Sequence, residues 1–262
     1  MAENDIPMTA RRLVRVPARA PMTASVEIPA RSGAVTADVY MPARVTAPPV
    51  VVVGAGYRDA GFRAMFGCSF REMASVRDWC GLIAEQGIAA LAYSNHDPAA
   101  DFDDVLEAIG SSGTTWGVDS TRVGVLATSG NVPVALSALM KGGSPAVRCA
   151  AFLYGFMLDG DAVTATATAS AQFGFATPCA SRGIDDVRDD AAVLIVRAGQ
   201  DQFAGLNDTI DRFATGALRR NLPATLMNLP ASPHAFDLFA DDGASHVAID
   251  AVLAFLRSHL GT

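Results

Sequence analysis

The chain has 262 residues, 50% of them hydrophobic and 18% charged, with 23 Gly and 14 Pro. That composition fills one large α/β core and excludes a disordered tail or a small stapled scaffold. The formal net charge is −7, and no run of five or more Lys or Arg offers a footprint for a phosphate backbone or an anionic bilayer, so neither nucleic acid nor membrane is an expected partner. Cys68, Cys80, Cys149 and Cys179 are widely spaced with no C-x-x-C pair, which predicts buried free thiols. The opening MAENDIPMTARRLVRV lacks an apolar leader core, and no stretch of 18 apolar residues occurs; a soluble, cytoplasmic protein is expected.

Residues 1–23 mix Pro, Ala, Arg and Thr without a sustained period and are expected to form a loose N-terminal arm. Residues 24–262 read as a single domain. It opens with two strand-like segments, 25–29 and 35–42, joined by the turn residues Arg31-Ser32-Gly33, an antiparallel hairpin at a sheet edge. From Pro49 on, short apolar runs alternate with helical patterns. The runs are 50–53, 88–93, 123–126, 149–153, 193–196 and 224–227, the signature of parallel strands covered on both faces by crossover helices. Helices are predicted at 71–86, 99–110, 130–141, 205–220 and 243–259; the second places Phe102, Val105, Leu106 and Ile109 on one face. The early carboxylates Asp101, Asp103, Asp104 and Glu107 read as a solvated first helical turn rather than a metal site. Two segments, 57–70 and 157–186, break the alternation and carry several phenylalanines; they are expected to act as lids.

The passage RVGVLATSGNV runs from an apolar strand through Ser129 into a helical pattern. A serine on such a tight turn is lifted out of the sheet, with the next backbone N–H aimed where an oxyanion would form. The common spelling G-x-S-x-G is altered at both glycines, to Ala127 and Asn131, and Asn131 brings bulk where helix and strand pass closely. Taken alone, a Ser before a helix is more often an N-cap than a nucleophile. Two further placements change the balance. Asp201 follows the run 193–196 and His234 follows the run 224–227, each in a loop beyond a strand's C-terminal end, where open α/β sheets keep their sites. The order Ser129, Asp201, His234 is that of one hydrolase superfamily. Asp201 as a helix cap and His234 as a loop histidine bonded to a carbonyl are the plain alternatives.

With ATSGN around Ser129, RAGQD ending at Asp201, SPHAFD containing His234 and GAGYRDAG after the first parallel strand, the chain resembles α/β-hydrolases of the dienelactone hydrolase-like group over about residues 24–260. The resemblance implies an α/β-hydrolase fold: an eight-stranded, mostly parallel sheet with an N-terminal antiparallel hairpin and helices on both faces. It also implies an oxyanion hole formed by the backbone N–H groups of Tyr57 and Gly130, with Ala55 standing where relatives carry His. No metal or organic cofactor is expected.

These parts permit acyl transfer, in which His234 takes the Ser129 proton, Asp201 orients the imidazole, and water releases the acyl group. The expected activity is hydrolysis of a small or medium carboxylic ester or lactone. The altered elbow keeps a second class open: an acyltransferase, a lyase or isomerase, or a ligand binder without turnover. Phe62, Phe66, Phe173 and Phe175 are expected to wall the substrate pocket, and Arg58 to hold a substrate carboxylate. A homodimer is left open.

Overall fold

The computed structural model describes residues 6–144, 146–160 and 164–261. Residues 1–5 of the expected arm and 161–163 of the second expected lid lie outside the described residues. Strands β1 (Met22–Ala30) and β2 (Gly33–Met41) form the predicted hairpin, with Ala30 opposite Gly33. Gly33 supplies the φ of +121° that the turn requires. Then come β3 (Val50–Val53), β4 (Ala89–Tyr93), β5 (Val123–Thr128), β6 (Val147–Leu153), β7 (Ala192–Gln200) and β8 (Ala224–Pro233). They assemble in the order β1-β2-β4-β3-β5-β6-β7-β8. The β1/β2 and β2/β4 pairs are antiparallel, and every later pair is parallel. Every residue of β3 and β4 is buried, as unbroken apolar runs must be when helices cover both faces.

The helices are, in chain order, α1 (Asp59–Phe66), α2 (Ala74–Glu85), α3 (Pro98–Ser112), α4 (Val132–Ala135), α5 (Ala165–Phe173), α6 (Leu206–Arg219), α7 (Phe236–Phe239) and α8 (Gly243–Leu260). From β3 the chain goes to one side for β4 and returns across it to β5, so β3 and β5 flank the point where the winding reverses. A crevice opens beyond the carboxyl ends of such strands, and β5 ends at Thr128, immediately before Ser129.

Three expectations change. The arm is not loose: Arg12 makes a two-pronged contact with buried Asp78 on α2 at 2.7–2.8 Å, Leu13 N–H donates to the same carboxylate, and Val14 N–H donates to the Asp237 carbonyl. These partners are more than 60 residues away in sequence, beyond the reach of local pattern. The acidic start of α3 is solvated only in part: Asp103 and Glu107 are exposed, whereas Asp101 and Asp104 are buried. Asp101 is fully buried and accepts the His96 and Asp97 N–H groups and the Ser32 hydroxyl, while Asp104 accepts Arg31. The two carboxylates thereby tie α3 to the β1–β2 turn. Finally, the helix predicted at 130–141 breaks into a 3-10 turn (Ser129–Asn131), α4 and a second 3-10 turn (Leu136–Leu139). The Ser137 hydroxyl bonds the Val134 carbonyl three residues back, a contact that competes with helix continuation. The four cysteines are free and buried. No helix among the described residues is long and apolar enough to cross a membrane.

Candidate active site

Ser129 sits at the mouth of the crevice with φ +54°, a left-handed conformation that costs a side-chain-bearing residue about 1–2 kcal/mol. Of the six non-glycine residues with positive φ among those described, three, namely Ser129, Tyr154 and Ala235, line a single cavity. Strain is thus gathered where the sheet's carboxyl ends converge.

The elbow is held by small residues on both sides. Ala127 is fully buried. A Cβ on Gly56 would lie 2.4 Å from the Gly130 carbonyl oxygen and 2.8 Å from Asn131 Cα, and one on Gly155 would lie 2.2 Å from Val132 Cγ2. The close approach that the usual spelling reserves for its second glycine is therefore met from outside the motif, by Gly56 and Gly155. Asn131 is accommodated because its side chain turns toward the loop after β3, where Oδ1 accepts the Gly56 N–H at 2.7 Å. The residue that weakened the sequence motif is a latch between the elbow and that loop.

Asn131→Ala should leave a buried N–H unpaired, costing about 1–3 kcal/mol, and slacken the loop enough to lower turnover by up to about a hundredfold. Asn131→Gly, which restores the second glycine of the common spelling, should fare no better. Thermal melting and p-nitrophenyl butyrate hydrolysis measure both effects; a fully active glycine variant would show that the latch does nothing.

The three residues singled out by chain order meet here. Ser129 Oγ lies 2.8 Å from His234 Nε2, and His234 Nδ1 lies 2.6 Å from Asp201 Oδ2. Asp201 leaves β7 in the following loop, where its other oxygen accepts the Phe203 N–H at 2.9 Å, so it does not cap α6. Its side chain is 0% exposed and that of His234 only 11%. The imidazole is flanked edge-on by Phe203 and Tyr154, with ring centroids at 4.6 and 4.8 Å. Packing from two sides and a hydrogen bond at each nitrogen fix the ring. The arrangement can pass the Ser129 proton to Nε2 while Asp201 stabilises the resulting imidazolium.

The cavity over Ser129 measures about 440 Å³. The first lid segment contains α1, which carries Phe62 and Phe66; Phe70 packs edge-on against Phe62 at 5.8 Å. The second lid segment contains α5 and then Phe175, which forms an antiparallel bridge with Tyr57, while the Ala176 N–H donates to the Gly56 carbonyl. Phe173 meets Phe203 edge-on at 5.4 Å. The described parts of both segments therefore join beside the elbow, and Phe62, Phe66, Phe173 and Phe175 all line the cavity. Phe66 is 42% exposed and forms its lip.

Arg58 is misplaced by the sequence reading. It is the extended residue preceding α1, its side chain is exposed, and the cavity lining includes neither Lys nor Arg. Tyr57 and Gly130 both line the cavity; with the Gly56 N–H taken by Asn131, that amide is not available to a ligand.

Other lining residues escaped the sequence reading. Asp237, one turn beyond His234, is fully buried and accepts the Tyr154 hydroxyl at 2.5 Å and Trp79 Nε1 at 3.0 Å. Burial holds its carboxyl above the usual range despite these donors. The network joins α2, the end of β6 and the His234 loop. Tyr154 directly follows the run ending at Leu153, so the rule that picked out Asp201 applies to it as well. Met8 reaches the cavity from the arm, and nothing in the local pattern signals it. Among the described residues, no group of three or more His, Cys, Asp or Glu could hold a metal ion.

No protein-family model matches the chain, and no curated protein matches its sequence. Solved structures do. A bacterial heroin esterase superposes with TM-score 0.72 at 16% identity, covering 93% of this chain and 86% of that one. An esterase of Pyrobaculum calidifontis gives 0.70 at 18% identity, with 94% and 87% covered. A thermophilic carboxylesterase cloned from a metagenomic library gives 0.70 at 19% identity, with 95% and 92% covered. At such identities the likeness is one of architecture, and together with the eight-stranded sheet, its antiparallel hairpin and its strand order it shows that the chain has the α/β-hydrolase fold.

Proposed function

We propose that the protein is a serine hydrolase that cleaves small or medium carboxylic esters or lactones through an acyl-enzyme. The observation that carries this is the unbroken path from Asp201 through His234 to Ser129, at 2.6 and 2.8 Å, on a strained elbow opening into an apolar cavity. The dienelactone hydrolase-like motifs and the esterase neighbours support it. Ser129 Oγ attacks the ester carbonyl as His234 Nε2 takes its proton; the imidazolium then protonates the leaving alkoxide, and water, deprotonated by the same imidazole, releases the acid. The N–H groups of Gly130 and Tyr57 are the backbone donors proposed for the oxyanion.

The reading fixes a size preference. A cavity of about 440 Å³ walled by Phe62, Phe66, Phe173 and Phe175 is in the size range that holds a small or medium ligand. Across p-nitrophenyl esters, kcat/KM should be highest for acetate and butyrate and at least about tenfold lower for palmitate, a loss of about 1.4 kcal/mol or more in transition-state binding. Phe66→Ala and Phe173→Ala should narrow that gap. Efficient hydrolysis of emulsified long-chain lipid by the unmodified protein would contradict this. Release of free acid without an added acceptor separates hydrolysis from acyl transfer.

A further inference from the structure

Tyr57 ends the GAGY turn after β3, and its side chain curls back over the elbow. A Cβ on Gly130 would lie 2.2 Å from the Tyr57 hydroxyl oxygen, 2.8 Å from the ring carbon bearing it and 2.9 Å from Phe175. The phenol oxygen therefore rests against the residue after Ser129, in the space a side chain there would take. The ring is gripped edge-on by Phe62 at 5.6 Å and Phe175 at 5.8 Å, and the bridge to Phe175 fixes its backbone. Of the fully enclosed phenols, Tyr154 donates to Asp237 and Tyr93 accepts the Ala55 N–H; Tyr40, outside the cavity, has no hydrogen bond from a described residue. No described residue hydrogen-bonds the Tyr57 hydroxyl, although it belongs to a cavity-lining side chain. A rigidly held, unpaired donor in an apolar wall is a group whose partner arrives with the ligand.

We propose that the Tyr57 side-chain hydroxyl is an oxyanion donor, hydrogen-bonding the substrate's carbonyl oxygen beside the N–H of Gly130. The inference rests on the hydrolase reading. As the Ser129 Oγ–carbon bond forms and the Oγ proton moves to His234 Nε2, the carbonyl π pair moves onto oxygen. Tyr57 donates to that oxygen throughout and keeps its own proton. Burial pushes the phenol up to about 12, so it is neutral and able to donate across the working pH range. The role also explains why position 130 is glycine: a side chain there would displace the phenol.

Tyr57→Phe keeps the ring packing and removes one oxygen. Its kcat for p-nitrophenyl butyrate should fall about 10- to 1000-fold with KM changed less than about threefold, because the bond strengthens only as charge develops. Affinity for an alkyl trifluoromethyl ketone, whose serine adduct carries the oxyanion, should fall by a comparable factor, with the melting temperature unchanged. A variant within about twofold of the unmodified kcat, or one losing only in KM, would overturn the proposal. So would loss of turnover with undiminished ketone affinity. Absence of turnover by the unmodified protein would overturn the hydrolase reading and this inference with it.

Discussion

Ser129→Ala is expected to lower kcat for p-nitrophenyl butyrate by a factor on the order of 10⁴ to 10⁶ while leaving the far-ultraviolet circular dichroism intact. In the proposed mechanism Ser129 and His234 act as a unit, so His234→Ala should lose a similar amount and the double variant little more. Ser129→Gly adds a discriminating result. Glycine adopts φ +54° without the steric cost borne by serine, so this variant should be equally inactive yet no less stable to heat, and more stable if the strain outweighs glycine's extra unfolded-state entropy. Activity lost together with the fold in both Ser129 variants would mean that Ser129 serves structure alone. Full activity in Ser129→Ala would send the search to another nucleophile.

Gly56→Ala is expected to be the most damaging single methyl addition near the site. Its Cβ would press on the Gly130 carbonyl oxygen at 2.4 Å and Asn131 Cα at 2.8 Å, and both are backbone atoms that cannot rotate away. Overpacking of this kind costs about 1–3 kcal/mol. The larger effect should be on chemistry, since the shift opens the gap between the Gly130 and Tyr57 amides and removes the Asn131 latch. Misplacing an oxyanion donor lowers kcat by about 10²–10³-fold. Gly61→Ala in α1 is the control. Nothing lies within 4 Å of its Cβ position, so it should be neutral or slightly stabilising through helix propensity. If both variants retain full activity, the tight seam between the β3 loop and the elbow has no catalytic consequence.

The sheet was legible because its signal is local: six apolar runs bounded by turn residues became six strands, and the two segments before Pro49 became the hairpin. The helices packed against the sheet were legible for the same reason, through the apolar faces of 99–110 and 243–259. What failed depends on distant partners or weak propensity. Helix α5 is built from ATATASAQF and α1 contains Gly61; β-branched residues and glycine hide a helix that packing then stabilises. Arg12 meets Asp78 across the molecule, and no window of sequence contains both.

In the site, chain order picked out Ser129, Asp201 and His234 because each follows a strand's carboxyl end, and the topology brings those ends together. Asn131 was misjudged because a motif records which residue is usual at a position, whereas the close approach is shared between positions. Here Gly56 and Gly155 supply the clearance, and the larger side chain becomes a hydrogen-bonding partner. Arg58 was misjudged because proximity in sequence to the Tyr57 turn says nothing about which way the first turn of α1 faces.

Ser129 is proposed to be an activated nucleophile. Reaction with a fluorophosphonate followed by peptide mass mapping tests it most directly, because phosphonylation needs both a nucleophilic oxygen and a base to take its proton. One adduct is expected, on the peptide containing Ser129, formed rapidly in the unmodified protein and slowed at least about a thousandfold by His234→Ala. An unlabelled protein, or an adduct on any other residue, would contradict it.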